Sequence, residues 1–125
     1  MAEMERGDKQ QIGLTPEGNR VIEEVSGQYF GGSQKEAYLF AIAFAIGAGL
    51  DIASAPTGGY ATKYNGIGTL DPTGTARELL DVLGIGDPKR PMATLEKLAE
   101  IGLREIEHRL DGNETMADIL AAVER

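Results

Sequence analysis

The sequence predicts a mainly α-helical fold of about five helices with a short strand near the N-terminus. Two observations lead to this prediction: apolar residues recur at three- and four-residue spacing, and capping signals precede several of these segments. The length of 125 residues fits one domain. We therefore interpret residues 1–125 as a single domain, made of a charged tail (1–8), a strand-helix-helix unit (9–50), a Gly/Pro loop (51–74) and a helical C-terminal half (75–125).

The strand-helix-helix unit begins with Lys9–Leu14, where Gln10, Ile12 and Leu14 lie on one side of an extended chain and Lys9, Gln11 and Gly13 face outward. Thr15-Pro16 then opens a helix, because threonine caps a helix and proline suits its first position. Its apolar stripe ends at a Gly-Gly pair and consists of Val21, Ile22, Val25 and Tyr29.

The second helix has the clearest start in the chain, since Ser33-Gln34-Lys35-Glu36 is a capping box before an apolar run. This helix, at about 34–49, is apolar almost all the way round and must be covered on most sides. We expect a second copy of the chain to supply that cover. The predicted interface of a homodimer or higher oligomer consists of Tyr38, Phe40, Ile42 and Phe44.

The Gly/Pro loop contains one alternating segment, Tyr60–Tyr64, which predicts a short strand. Such long connections are often functional or mobile.

The C-terminal half contains three predicted helices. Thr75-Ala76-Arg77-Glu78 is a second capping box, before a stripe of Leu79, Leu80 and Leu83. The longest amphipathic helix follows, with a stripe of Leu95, Leu98, Ala99, Gly102, Leu103, Ile106 and Leu110, and we expect Gly112 to end it in the left-handed conformation. The last helix is capped by Asn113 or Thr115 and carries Met116, Ile119, Leu120 and Val123.

Composition limits the function classes. The net charge is -8, from 12 basic and 20 acidic residues, and this field repels a polyanion at long range. There is no cysteine, which fits a reducing compartment, and the polar first ten residues contain no secretory signal. The longest apolar run, Ala37–Leu50, is shorter than a membrane span. We expect a cytoplasmic protein without contact to a membrane.

We predict no catalytic residue, no metal site and no cofactor. The single Glu-x-x-His motif, Glu105 to His108, lacks the second motif that a di-iron site needs. Gly66-x-Gly68 is followed by Asp71 where a dinucleotide fingerprint needs glycine. The carboxylates of the longest helix alternate with arginines, as on a solvated helix face, and are Glu96, Glu100, Glu107 and Asp111.

The order strand, helix, Gly-Gly-Ser turn, helix resembles the ribbon-helix-helix pattern, in which two chains pair their strands and the strand pair enters a DNA groove. This resemblance implies that outward strand residues contact bases and that the second helix's N-terminus binds phosphate. An ordinary helix cap also explains the turn. The candidate nucleic-acid-binding residues are Lys9, Gln11, Ser33, Gln34, Lys35 and Lys63.

The run from Tyr29 to Gly47 (YFGGSQKEAYLFAIAFAIG) is similar to small accessory proteins of DNA phosphorothioation (Dnd-type) systems. In these proteins a Phe, a short turn, a Ser/Lys capping box and Phe-Ala-aliphatic repeats recur. The resemblance covers about 100 residues, is loose in the C-terminal half, and carries over no catalytic residue. It implies a role beside a bacterial DNA-modification or defence system.

Three hypotheses follow for the function. The first is a non-enzymatic helical homo-oligomer that serves as an accessory of a DNA-modification or defence complex, with local nucleic-acid contacts. The second is a protein–protein adaptor whose acidic surface binds a basic partner and which binds no nucleic acid. The third is a small-ligand binder that uses the 56–75 loop, with Tyr60, Lys63, Tyr64 and Asn65 as its polar and aromatic groups.

Overall fold

Helices make up most of the fold, and two short strands pair near the N-terminus. The structure is a computed structural model that describes residues 7–123, with side chains to residue 121. Its elements are β1 (Gln11–Leu14), α1 (Pro16–Tyr29), α2 (Gln34–Gly47), β2 (Ala61–Asn65), α3 (Thr75–Leu83), α4 (Pro91–Asp111) and α5 (Met116–Val123). Two single turns, Ile52–Ser54 and Gly66–Leu70, flank β2. The predicted mainly helical fold with a short N-terminal strand is confirmed.

The first two helices begin at the predicted caps. The Thr15 hydroxyl accepts a hydrogen bond from the amide of Gly18, and the Ser33 hydroxyl accepts one from the amide of Glu36. Both bonds satisfy amides that lack a partner within the helix. Gly31 and Gly32 separate the helices with φ angles of 60° and 88°, which favour glycine. The two predicted helix starts are therefore confirmed by their hydrogen bonds.

The core lies between α2 and α4, with α1 and the sheet packed around them. At the crossing of α2 and α4, a β-carbon on Gly102 would overlap the carbonyl oxygen of Ala41. The close approach of these helices therefore requires glycine at this position. The predicted α4 stripe is buried apart from Leu110, which is partly buried, and so are Val21, Ile22 and Val25 of α1. Tyr29, the last member of the predicted α1 stripe, is exposed instead.

The sheet pairs β1 with β2 of the same chain in antiparallel register. Ile12 lies opposite Tyr64 and Leu14 lies opposite Ala61, with an irregularity between Ile12 and Gly13. The predicted short strand in the Gly/Pro loop is thus present. In a ribbon-helix-helix protein this strand pairs with the same strand of a second chain. Here β1 pairs with β2 of its own chain instead.

The predicted charged tail needs a correction at Asp8. Residues 1–6 lie outside the described residues, but the Asp8 carboxylate accepts hydrogen bonds from the amides of Met92 (2.6 Å) and Ala93 (3.1 Å). It therefore caps the N-terminus of α4, which has no cap from its own flanking side chain. Asp8 and Met92 are 84 positions apart in the sequence, so this cap forms only because the fold brings them together.

The ends of the C-terminal helices also differ from the predictions. Thr75 does not cap α3, because the Asp71 carboxylate binds the amides of Ala76 and Arg77 in its place. After α4, the left-handed residue is Asn113 (φ 74°), and Gly112 has a negative φ of -86°. Of the two predicted caps for α5, Asn113 and Thr115, the structure shows Thr115. Its hydroxyl accepts a hydrogen bond from the amide of Asp118, and its amide donates one to the Asp118 carboxylate. No helix within residues 7–123 is long and apolar enough to cross a membrane.

Candidate interaction site

A pair of buried carboxylates from α4 holds the edge of β1 that faces away from β2. Glu96 accepts a hydrogen bond from the amide of Gly13 (2.8 Å) and a salt bridge from Lys9. Glu100 accepts from the amide (3.1 Å) and the hydroxyl (2.6 Å) of Thr15. The predicted solvated face is therefore wrong for these two residues, whose exposure is 3% and 0%. The amides of Gly13 and Thr15 are therefore not free to pair with a partner's strand.

A tyrosine from α2 completes this edge. The Tyr38 hydroxyl donates a hydrogen bond of 3.0 Å to the carbonyl oxygen of Gly13. Burial, followed by the negative charges of Glu96 and Glu100, raises the pKa of Tyr38 far above its ordinary value. The phenol therefore stays protonated and acts as a donor. Each oxygen of the two carboxylates accepts a hydrogen bond from the chain, which favours a structural role for them.

The candidate nucleic-acid-binding residues occupy different environments. Lys9 is paired with buried Glu96, Lys63 donates a hydrogen bond to the side chain of Asn19 (3.1 Å), and Ser33 caps α2. These three side chains already have partners in the chain. Gln11 and Lys35 are exposed and Gln34 is partly exposed. Gly13, which was expected to face outward beside Lys9 and Gln11, is buried.

The predicted oligomer interface lies mostly inside one subunit. Tyr38, Ile42 and Phe44 are buried by other segments of the same chain, and α2 makes its most extensive contact with α4. Phe40 is partly exposed and packs against Phe30 with ring centroids 5.4 Å apart. The premise that a lone subunit cannot cover this helix is therefore wrong, because α1, α4 and α5 supply the cover.

The polar and aromatic residues of the Gly/Pro loop have structural contacts. The Tyr60 hydroxyl binds the carbonyl oxygen of Pro56 (2.8 Å), and the Asn65 side chain accepts from the amide of Gly68 (2.6 Å). Tyr64 packs edge-on against Tyr38, with ring centroids 5.3 Å apart. These contacts order the loop and pair it with the N-terminal strand.

Helix α3 presents the largest group of exposed apolar side chains on one element. Leu79, Val82 and Leu83 are 44%, 74% and 51% exposed. Their i, i+3, i+4 spacing puts them on one side of the helix. Only Leu80 of α3 is fully buried, so the predicted stripe of Leu79, Leu80 and Leu83 is wrong for its first and last members. We call Leu79, Val82 and Leu83 the α3 stripe.

A groove of about 540 Å³ lies between α3 and the segment leading into α4, on a different side of α3 from the α3 stripe, which does not line it. Leu80, Ile85 and two prolines, Pro88 and Pro91, form its apolar walls. Its acidic lining consists of Glu78, Asp81 and Asp87. Such a volume falls in the range of roughly 300–1,000 Å³ that is usual for binding clefts.

Among the described residues, Arg77 is the one cation that lines the groove, and its charge is neutralised within the chain. Arg77 forms a salt bridge of 2.8 Å with Asp71, and Asp71 also holds the first amides of α3. Burial has the largest effect on Asp71 and raises its pKa, but the hydrogen bonds and charge of Arg77 together with the amides lower the pKa overall. The groove thus has apolar walls and acidic free charges, and the α3 stripe is a separate apolar surface on the same helix.

The sequence contained a signal for both features that the predictions missed. In α4, Glu96 and Glu100 lie at helical spacing between Met92 and Leu103, on a face that is otherwise apolar. In α3, the aliphatic residues 79, 80, 82 and 83 surround a nine-residue helix, so one neighbour cannot cover all of them. Within the described residues, no group of three or more His, Asp or Glu side chains is placed to hold a metal ion.

Comparison with protein-family models, curated proteins and solved structures gives no match for this chain.

Proposed function

We propose that this chain is a non-enzymatic interaction protein that binds a basic, partly apolar segment of a partner protein through α3. The observation that carries the proposal is the α3 stripe, whose three large apolar side chains are exposed on a single short helix. Single exposed apolar residues are ordinary on protein surfaces, whereas a contiguous group marks an interaction site. Elsewhere in the described chain the exposed large apolar residues are spread over separate elements: Tyr29, Ile67 and Leu120.

Charge favours a basic partner over a second copy. Glu78, Asp81 and Asp87 line the groove, and the whole chain carries a net charge of -8. Two copies meeting at this surface would place like charges opposite one another, which opposes association. A cationic segment that covers the α3 stripe gains from Glu78, which lies one helical turn before Val82, and from the net negative charge. A helical segment with apolar and basic residues fits best, since an amphipathic helix presents apolar side chains at the same spacing as the α3 stripe.

The biological setting is part of the same proposal. The resemblance to accessory proteins of DNA phosphorothioation systems supports a partner within a DNA-modification or defence complex. A DNA-handling enzyme offers the basic surface that this site needs. Direct nucleic-acid contact has weaker support, because Lys9, Ser33 and Lys63 already have partners within the chain.

A designed peptide tests the binding mode. We expect an 18-residue amphipathic helix of leucine and lysine to bind at 150 mM salt, as measured by fluorescence anisotropy, and a leucine–glutamate peptide of the same pattern not to bind. The triple variant L79S/V82S/L83S should weaken binding at least tenfold. The matched control is Y29S/I67S/L120S, which removes three exposed apolar residues on other elements and should bind as the parent does.

Two results would contradict the proposal. One is equal loss of peptide binding in both triple variants, which would mean that binding does not depend on α3. The other is saturable binding of duplex DNA at low salt, unaffected by the α3 variant and stronger than that of the peptide, because phosphate contacts are strongest at low salt. The second result would favour the nucleic-acid hypothesis.

A further inference from the structure

The basic side chains of this acidic protein fall into two groups. Lys9, Arg20, Arg77, Arg104 and Arg109 each form a salt bridge with an acidic side chain. Among the residues that the structure describes, Lys35, Lys63, Lys89, Arg90 and Lys97 form none, and the last three are close in sequence. These three lie within nine positions of one another, at the start of α4. Within the described residues, three neighbouring cations therefore lack carboxylate partners, although the protein has an excess of acidic residues.

Arg90 and Lys97 line a common cleft. Its volume is about 180 Å³, and Ile52, Ala93 and Thr94 contribute to its walls. Arg90 precedes α4 directly, and Ala93, Thr94 and Lys97 follow at helical spacing. Arg90 lies about one turn before Ala93 and Thr94, and Lys97 lies about one turn after them. The two cations therefore line the cleft from the same side of α4.

The Nε atom of Arg90 is buried, and it has no hydrogen-bond partner among the described residues. Such atoms are rare in folded proteins, because a buried donor that loses water and gains no acceptor is destabilising. The donor needs an acceptor, and residues 7–121 do not supply one. Asp87 also lines this cleft, but its carboxylate accepts the backbone amide of Lys89 and forms no salt bridge with Arg90 or Lys97.

The start of α4 does not provide the missing acceptor either. Asp8 occupies the amides of Met92 and Ala93. An anion in the cleft would therefore be held by side chains and not by the helix terminus, although the positive end of the helix dipole still favours it. Asp8 and Asp87 oppose the anion, and Arg90, Lys97 and Lys89 attract it.

We propose that Arg90 and Lys97 form a binding site for the phosphoryl group of a small molecule. An arginine supplies parallel N–H donors to phosphate oxygens, and a lysine adds a point charge. The cleft is smaller than the roughly 300–1,000 Å³ of sites that enclose a whole ligand, so it accommodates the charged group alone. The net charge of -8 repels a long polyanion but acts less on a small dianion, which favours a small phosphate compound over a nucleic acid.

Nuclear magnetic resonance tests this site through the Arg90 Nε–H signal. Inorganic phosphate is titrated at constant ionic strength and pH 7, and we expect a saturable shift of that signal. The variant K97Q should weaken the apparent affinity at least tenfold. K35Q removes an exposed lysine on α2 and is the matched control, which should titrate as the parent does. R90K removes the Nε–H group and so identifies its signal, while it retains the positive charge at this position.

Three outcomes would overturn the proposal. A shift that grows linearly without saturation indicates ionic screening only. An equal shift in K97Q excludes the two-cation site. Saturation by a short oligothymidylate, with no effect of inorganic phosphate at the same phosphate concentration, would identify a nucleic-acid site instead. None of these results depends on α3, so the interaction proposal stands or falls separately.

Discussion

Gly13 of β1 lies so close to Ala61 of β2 that a β-carbon on Gly13 would overlap the carbonyl oxygen of Ala61 and lie 2.9 Å from the amide nitrogen of Lys63. On its other side, the Gly13 carbonyl oxygen accepts a hydrogen bond from the Tyr38 hydroxyl, and the Gly13 amide donates one to Glu96. The N-terminal strand is thus held between β2 and the two central helices. Any side chain at this position would push the strands apart.

Replacing Gly13 by alanine tests this relationship. Because backbone atoms surround the site, the extra methyl group should lower the free energy of unfolding by about 1–3 kcal/mol. Urea denaturation measures the change. Gly27→Ala is the control, since its β-carbon would meet nothing within 4 Å on α1, and alanine should add up to about 1 kcal/mol there. Equal stabilities of the two variants would contradict the close approach.

Removal of the Glu100 side chain should destabilise the fold although the residue is charged. Glu100→Ala leaves the amide and hydroxyl of Thr15 without an acceptor and Arg104 without its salt bridge. Buried donors that lose their acceptor cost about 1–3 kcal/mol each, and we expect about 3 kcal/mol in total. Thermal and urea unfolding measure this loss. Glu23→Ala, at an exposed position of α1, should change stability by less than about 0.5 kcal/mol.

Acid should loosen α3 through Asp71. The pKa of Asp71 is lowered from 3.8 in the folded chain, because the effect of Arg77 and the helix amides exceeds that of burial. Its contribution to stability is therefore fully present above the unfolded value and is lost as the pH falls through the lowered folded value. Amide hydrogen exchange of α3 between pH 2 and 6 should show this loss.

Asp71→Asn is the control for that experiment. It removes the titrating group, so α3 protection should be lower throughout and change less with pH. Carbon-13 resonance follows the titration of the Asp71 carboxyl. If its pKa lies at or above the ordinary value, the amides and Arg77 do not stabilise the charged form.

Two neighbouring positions of α3 should respond in opposite ways to truncation. Leu80 is buried against the core, and Leu80→Ala should cost about 2–5 kcal/mol. Val82 is 74% exposed, and Val82→Ala should change stability by less than about 0.5 kcal/mol. Chemical denaturation at several protein concentrations measures both. A large, concentration-dependent loss in Val82→Ala would mean that a second copy covers this helix.

Local signals predicted the first half of the fold well. Thr15 and Ser33 were recognised as caps because their side chains act on amides three positions away, a distance fixed by the helix itself. The core face of α4 followed from spacing for the same reason. The sites were predicted less well: Lys9 and Lys63 were candidates for nucleic-acid binding, and both have partners within the chain that are distant in sequence.

The sequence by itself determined the helices and most of their ends, because these depend on residues within about one helical turn, and it determined the acidic character, because net charge is a sum over the composition. Only the tertiary structure decided that β1 pairs with β2, that Glu96 and Glu100 are buried beneath that strand, and that α4 covers α2 within one subunit. It also decided that the α3 stripe remains exposed and that Arg90 and Lys97 line one cleft. These features depend on contacts between segments that are distant in sequence, because such contacts determine which side chains are buried and which charges are paired.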